Sequence, residues 1–286
     1  MVRTMTSVPH FAANGIELYY ESTGDGDPVV FAHEFGGDAR SWAPQVHWFD
    51  RWYRCITYNH RGFPPTSVPD DPDAYSQDLL IEDLRALLDH LELDQAHLVG
   101  LSMGGNVVLN FALRYPERCR SIVVAGTGSG SDDPPQFVQD TDRNAQILLE
   151  HGMGAFMAGY AYGPTRLQLQ SKDPRGWQTF LDQLGQHSAR GSAYTQRGVM
   201  ARRPPIFALQ DRLERLNVPT LVAIGDEDTP VVASALFIKR HVPQAGLLVL
   251  PRTGHALNLE EPAAFNQAIR EFFAIVERDR WYVDQR

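Results

Sequence analysis

The sequence is poor in cysteine: its 286 residues hold only Cys55 and Cys119. Two cysteines cannot make a disulfide framework, and Cys55 sits in an apolar run, Tyr53 to Tyr58. Buried free thiols in a reducing compartment are the expectation. No stretch of apolar residues is long enough to span a bilayer as a helix. The first ten residues, Met1 to His10, lack the apolar core of a secretory leader. A soluble, cytoplasmic protein is therefore expected. Cations are also scarce: 26 Lys and Arg stand against 35 Asp and Glu, a formal net charge of −9. Nucleic acids and anionic membranes are recognised by clustered cations, so neither is an expected partner. There is no His-x-x-x-His metal signature, no P-loop, and no dinucleotide glycine fingerprint at a strand–helix junction, so no metal or organic cofactor is expected. Internal repeats and low-complexity tracts are missing too.

What is present is an ordinary globular composition, 43% hydrophobic and 21% charged, enough for one large domain with an inserted subdomain. Short apolar runs read as strands at Ile16–Glu21, Pro28–His33, Arg54–Tyr58, Ala96–Leu101 and Ser121–Ala125. Between them lie helical patterns. In Tyr75–Leu93, the residues Leu80, Leu84, Leu87, Leu88 and Leu91 share a face; in Asn106–Tyr115, Val107, Val108, Phe111 and Tyr115 do. Alternating strand and helix predicts a parallel sheet covered on both faces, the α/β class. The rhythm stops near Thr127 and resumes at Val218–Ile224. It continues with a helix at Ala233–Arg240, a strand at Gly246–Leu250 and a helix at Pro262–Val276. The interruption shows helical patches only, at Asp140–Leu149, Gly154–Tyr160 and Gly176–His187, and is too long for a loop. The expected division is a core of residues 1–127 and 217–286 with a helical insertion over 128–216.

The chemistry centres on Gly100-Leu-Ser102-Met-Gly104, placed where a predicted strand meets a predicted helix. A chain of this composition shows G-x-S-x-G by chance roughly one time in ten, so position decides its meaning. A serine on a sharp strand-to-helix turn needs small neighbours two residues away, and the following helix aims free N–H groups at developing negative charge. Such a nucleophile needs a base, and the base an orienting acid. Gly225-Asp-Glu-Asp228 and Gly254-His255 each follow a later strand. Loops that leave the carboxyl ends of parallel strands share one edge of the sheet, so all three residues can converge there, in the chain order Ser, Asp, His. Ser102, Asp228 and His255 are the candidate catalytic residues. Asp226 and Glu227 compete with Asp228 and read as turn and surface groups.

In order along the chain stand His33-Glu-Phe-Gly-Gly37, Asn59-His-Arg-Gly62, Gly100-Leu-Ser-Met-Gly-Gly105, Gly225-Asp-Glu-Asp228 and Gly254-His255. With these the chain resembles the α/β-hydrolase superfamily, in its capped esterase, lactonase and C–C hydrolase branch, over nearly its whole length. The resemblance implies a mostly parallel eight-stranded sheet and a helical cap inserted after the sixth strand. It also implies an oxyanion hole from the backbone amides of Phe35 and Met103. One position departs from the family: Glu34 stands where glycine usually follows the histidine. Glu34 either pairs with a nearby arginine, Arg40 or Arg61, or touches substrate or water and sets specificity. Serine at the elbow disfavours dehalogenase and epoxide-hydrolase relatives, which use aspartate there.

Met153, Phe156, Met157, Tyr160, Tyr162 and Trp177 are candidates to line the pocket from the cap, or else form the cap's own core. Tyr160 and Trp177 join Glu34 as candidate substrate contacts. Arg202-Arg203 reads as a solvated turn. The implied function is hydrolysis of a small carboxylic ester through an acyl-enzyme, with a lactonase or C–C hydrolase as the alternative and a ligand receptor on the same scaffold as a remote one. The expected partner is a small-molecule substrate, and a homodimer is left open.

Overall fold

The computed structural model describes residues 9–281; Met1 to Val8, read above for a leader, lie outside them. In chain order the structure runs β1 (His10–Ala13), β2 (Ile16–Thr23), β3 (Asp27–Ala32), α1 (Ala43–Phe49), β4 (Tyr53–Tyr58), α2 (Gln77–His90), β5 (Ala96–Leu101), α3 (Met103–Arg114) and β6 (Cys119–Ala125). Helices follow: α4 (Pro134–Tyr160), α5 (Leu167–Lys172), α6 (Pro174–Leu184), α7 (Ala189–Tyr194) and α8 (Gln210–Leu213). The sheet resumes with β7 (Thr220–Gly225), α9 (Thr229–His241) and β8 (Ala245–Leu250), followed by α10 (Leu257–Glu260) and α11 (Pro262–Val276). The eight strands form one sheet in the order β1-β2-β4-β3-β5-β6-β7-β8. β3 to β8 run parallel, and β1 and β2 join the edge antiparallel. This is the α/β-hydrolase architecture, with a helical insertion between β6 and β7.

The central strands are apolar at successive positions because both faces of the sheet are covered. Side chains alternate along each strand. Val30 and Ala32 of β3 join a core with Leu84 of α2, Val107 of α3 and Ile238 of α9, while Val29 and Phe31 join a second core with Phe49 of α1 and Phe273 of α11. The stripe predicted for the last helix, Phe265, Ile269, Phe272, Phe273 and Val276, is buried in that second core. Ser76 caps α2 by accepting the amide of Leu79, which sets where the leucine stripe begins.

Two differences from the sequence reading have local causes. β1 is four residues long and pairs only with β2, so it carries little periodicity. The two helical patches expected at 140–149 and 154–160 belong to one element, α4, broken at Gly152 with φ +77°. Glycine takes that conformation without steric cost, so the break falls between the two patches. Both cysteines are buried and unpaired. Among the described residues no helix is long and apolar enough to cross a membrane.

The sheet order creates the site. From β3 the chain goes to β4 on one side, then crosses back to place β5 on the other. Loops leaving the carboxyl ends of β3 and β5 diverge and open a crevice between them. The β5–α3 turn is packed against this crevice. Ser102 adopts φ +55°, ψ −109°, a conformation that costs a non-glycine residue about 1–3 kcal/mol and persists only where surroundings impose it. The imposing contact is visible at Gly104, where an added Cβ would lie 2.1 Å from the carbonyl oxygen of Ala32 in β3. Gly104→Ala therefore has to push α3 off β3. Urea denaturation of this variant is expected to show a loss of about 3 kcal/mol, the upper range for overpacking. A midpoint equal to that of the parent would mean that the turn is not held by this contact.

Candidate active site

Ser102, Asp228 and His255, from three distant segments, line one cavity of about 580 Å³. Asp228 is buried at the carboxyl end of β7, and its carboxylate caps no helix amide. Instead its Oδ2 lies 2.6 Å from Nδ1 of His255. Asp226 and Glu227, the neighbouring acids, are exposed. Asp226 accepts the amide of Thr253 and so ties its loop to the histidine loop. The histidine loop is held from both sides by one carboxylate: Glu260 accepts the amides of Gly254 at 2.8 Å and Ala256 at 3.2 Å. The amide of His255 itself donates to the carbonyl of Thr165, in the insertion, at 2.8 Å.

The loop after β3 is set by a buried histidine. Nε2 of His33 accepts the amide of His60 at 3.0 Å, so the ring proton must reside on Nδ1. Nδ1 in turn donates to the carbonyl of Glu34 at 2.7 Å. C=O and N–H of a trans peptide point in opposite directions. Fixing the Glu34 carbonyl toward His33 therefore turns the Phe35 amide away from it, and Phe35 itself lines the cavity. The second candidate donor, the Met103 amide, opens α3 and has no acceptor within its own helix.

Glu34 corrects an expectation. Arg40 pairs with Asp38, and Arg61 with Asp83. The partner of Glu34 is Arg166, 132 residues away in the insertion, which grips both carboxylate oxygens, Nη1 to Oε1 at 2.8 Å and Nη2 to Oε2. The same Nη2 donates to the Tyr160 hydroxyl at 2.6 Å, and the guanidinium lies 5.0 Å from the Tyr160 ring centroid and 5.3 Å from that of Phe180. Oε2 of Glu34 is also 3.8 Å from Nε2 of His255. Burial opposes charge on Glu34, yet Arg166, with smaller contributions from His255 and His33, holds its carboxyl below the ordinary range.

Of the aromatic candidates, Phe156 and Tyr160 line the cavity. Trp177 does not: it stacks on Phe180, packs edge-on to Tyr162, and belongs to the insertion's own core. Tyr162 is exposed, and Met153 and Met157 pack into the core instead. Arg203 also departs from a solvated turn: it donates to the Ser129 carbonyl and lies over Phe137. The sequence reading missed Arg166, and it missed Gln196 on the π-helical turn Thr195–Met200, which lines the cavity with its buried Oε1 unpartnered. Neither carries a local signal, since both gain their place only when the insertion folds over the sheet. No group of three or more His, Cys, Asp or Glu side chains among the described residues is arranged to hold a metal.

The His33 linkage makes a prediction about stability. Burial pushes the His33 ring down to about 4 from an ordinary value of 6.5. Above pH 6.5 the ring is neutral folded or unfolded, and its contribution is fully present. Between pH 6.5 and 4 the unfolded chain takes up a proton that the folded chain refuses, so stability falls as pH falls. His33 alone should cost about 2 kcal/mol between pH 7.5 and 5. Urea titrations at these two values check it: an unchanged midpoint would mean a charged ring inside the fold.

A model of the α/β-hydrolase fold matches residues 27–262. Over 260 residues the chain is 30% identical to 3-oxoadipate enol-lactonase 2 of Acinetobacter baylyi, covering 90% of this chain and 93% of that one. Among solved structures it is similar to a hydrolase from Pseudomonas aeruginosa, at 28% identity with a TM-score of 0.84, covering 94% of this chain and 99% of that one. A thermophilic esterase from Thermogutta terrifontis is also 28% identical, with a TM-score of 0.80 and coverage of 94% and 97%. With its sheet order, its strained serine turn and this match across most of its length, the chain belongs to the α/β-hydrolase-fold family.

Proposed function

We propose that the protein is a serine hydrolase that cleaves a small carboxylic ester through an acyl-enzyme, with Ser102 as nucleophile, His255 as base and Asp228 as its orienting acid. The observation that carries this is the 2.6 Å contact between His255 Nδ1 and Asp228 Oδ2 on the wall shared with Ser102. With a carboxylate at Nδ1, the neutral ring keeps its proton there and leaves the Nε2 lone pair free to accept the serine proton. As Oγ attacks the carbonyl, Nε2 takes the proton and the resulting imidazolium is stabilised by Asp228. The amides of Phe35 and Met103 receive the oxyanion, each worth roughly 3 kcal/mol. Nε2 then protonates the leaving alkoxide. Water then attacks the acyl carbon as Nε2 takes its proton, and Nε2 returns that proton to Ser102 Oγ as the ester bond breaks and the acid leaves. The walls from Phe156, Tyr160 and Ile147 suit an apolar substituent beside the reacting carbonyl. This chemistry calls on a small-molecule substrate alone, with no nucleic acid, membrane or cofactor.

A lactone is the second reading, supported by the identity to an enol-lactonase. The same attack opens a cyclic ester, and the alcohol then stays tethered to the acyl group.

Release of 4-nitrophenol from short-chain aryl esters tests the class. Ser102→Ala should lose at least about 10⁴-fold in kcat and Asp228→Asn about 10³–10⁴-fold, while Asp226→Asn stays within a few-fold of the parent. Full turnover in Ser102→Ala would end the proposal. A higher kcat/KM on five- and six-membered lactones than on open-chain esters would favour the second reading.

A further inference from the structure

Every charged side chain on the cavity wall already has a side-chain partner. Asp228 faces His255, Asp140 pairs with Arg143, and Arg166 is gripped by Glu34. The pairing of Arg166 is the most complete. Its fork is spent on both oxygens of Glu34, a further N–H goes to the Tyr160 hydroxyl, and aromatic rings of Tyr160 and Phe180 flank the guanidinium. Glu34 and Arg166 are 2% and 3% exposed. A planar, bidentate guanidinium is the group that recognises a substrate carboxylate. Here that position is filled from within the chain.

We propose that Glu34 is a specificity-determining residue, an internal carboxylate that occupies the anion-binding fork of Arg166 and restricts the site to esters or lactones uncharged near the reacting carbonyl. The proposal rests on the serine-hydrolase reading for the location of the reacting centre. Three facts make the restriction physical. Glu34 Oε2 is 3.8 Å from His255 Nε2, so the carboxylate stands next to the place where the ester must lie. With a neutral imidazole, the paired wall keeps a net negative charge, which repels an anion in a site of low dielectric. An incoming carboxylate would have to displace Glu34 from Arg166 and leave it buried without a partner. A cationic group gains no free carboxylate either, because Asp228, Glu34 and Asp140 are all engaged.

The matched probes are 4-nitrophenyl valerate and the mono-4-nitrophenyl ester of glutaric acid, which replaces the terminal methyl group by a carboxylate. The parent protein should favour the valerate by at least roughly 100-fold in kcat/KM. Glu34→Gln, close in shape but uncharged, should shrink that preference by roughly tenfold or more, through faster reaction of the glutarate ester. Adding Arg166→Met to Glu34→Gln should abolish the gain. Calorimetric titration with glutarate itself needs no turnover: no binding to the parent, millimolar binding to Glu34→Gln, and none to the double variant are expected. Equal use of the two esters by the parent, or glutarate binding to the parent as tight as to Glu34→Gln, would overturn the proposal. If the parent turns over neither ester, the hydrolase reading is the one that suffers, and the glutarate titration still decides the role of Glu34.

Discussion

The contact on which the rest of the structure depends is the one between the first turn of α3 and the carboxyl end of β3. Gly104 lies so close to the Ala32 carbonyl that no side chain fits, and this closeness holds Ser102 at a positive φ. It also decides what stands beside the serine. Two residues beyond Ala32 begins the loop whose Glu34 carbonyl is turned toward His33. The Met103 amide and the Phe35 amide therefore come from two elements pressed together. The strained serine and the course of the loop after β3 meet in one packing contact.

The buried Glu34–Arg166 pair has a different character. Removing two charges from water costs about as much as their attraction returns, so such a pair is a weak source of stability. Its consequence is electrostatic. A lone carboxylate in the loop after β3 would oppose any negative charge that develops in the cavity beside it. Arg166 cancels that field, and the same pairing removes Arg166 as a free anion receptor. A departure from glycine that looks hostile to the chemistry is made compatible with it by a residue from the insertion.

How much was legible in the sequence follows from where each signal is stored. The strands of the core and the helices α2, α3 and α11 are local facts, because a period of two or of 3.6 is written within each segment. That Ser102, Asp228 and His255 would converge was legible because each follows a strand, and parallel strands bring their carboxyl ends to one edge. Asp228 could be preferred over its neighbours but not separated from them by pattern; the fold separates them by burial, leaving Asp226 and Glu227 in solvent. Trp177 and Arg166 mark the limit. A tryptophan on an amphipathic helix reads the same whether its face meets the cavity or the insertion's own core. An arginine 132 residues from its carboxylate has no sequence signature at all, and the nearer candidates Arg40 and Arg61 had acids of their own.

The insertion is seated on the core by the same short stretch that shapes the cavity. The Thr165 carbonyl takes the amide of His255, and the next residue, Arg166, grips Glu34. Just beyond, Gln168 donates to Glu227 in the acid loop, and Lys172 reaches Thr253 and Glu261 on either side of the histidine. Residues 165–172 thus touch the loops that follow β3, β7 and β8 at once. A shift of this stretch cannot change the pocket while leaving the three loops alone, because the contacts that fix its position are contacts to those loops. Shape of the binding wall and alignment of the reacting groups are then mechanically one variable. Substitutions that alter specificity from within 165–172 should carry changes in kcat with them, whereas those at Ile147 or Gln196, on the cavity wall outside this stretch, should act mainly on KM.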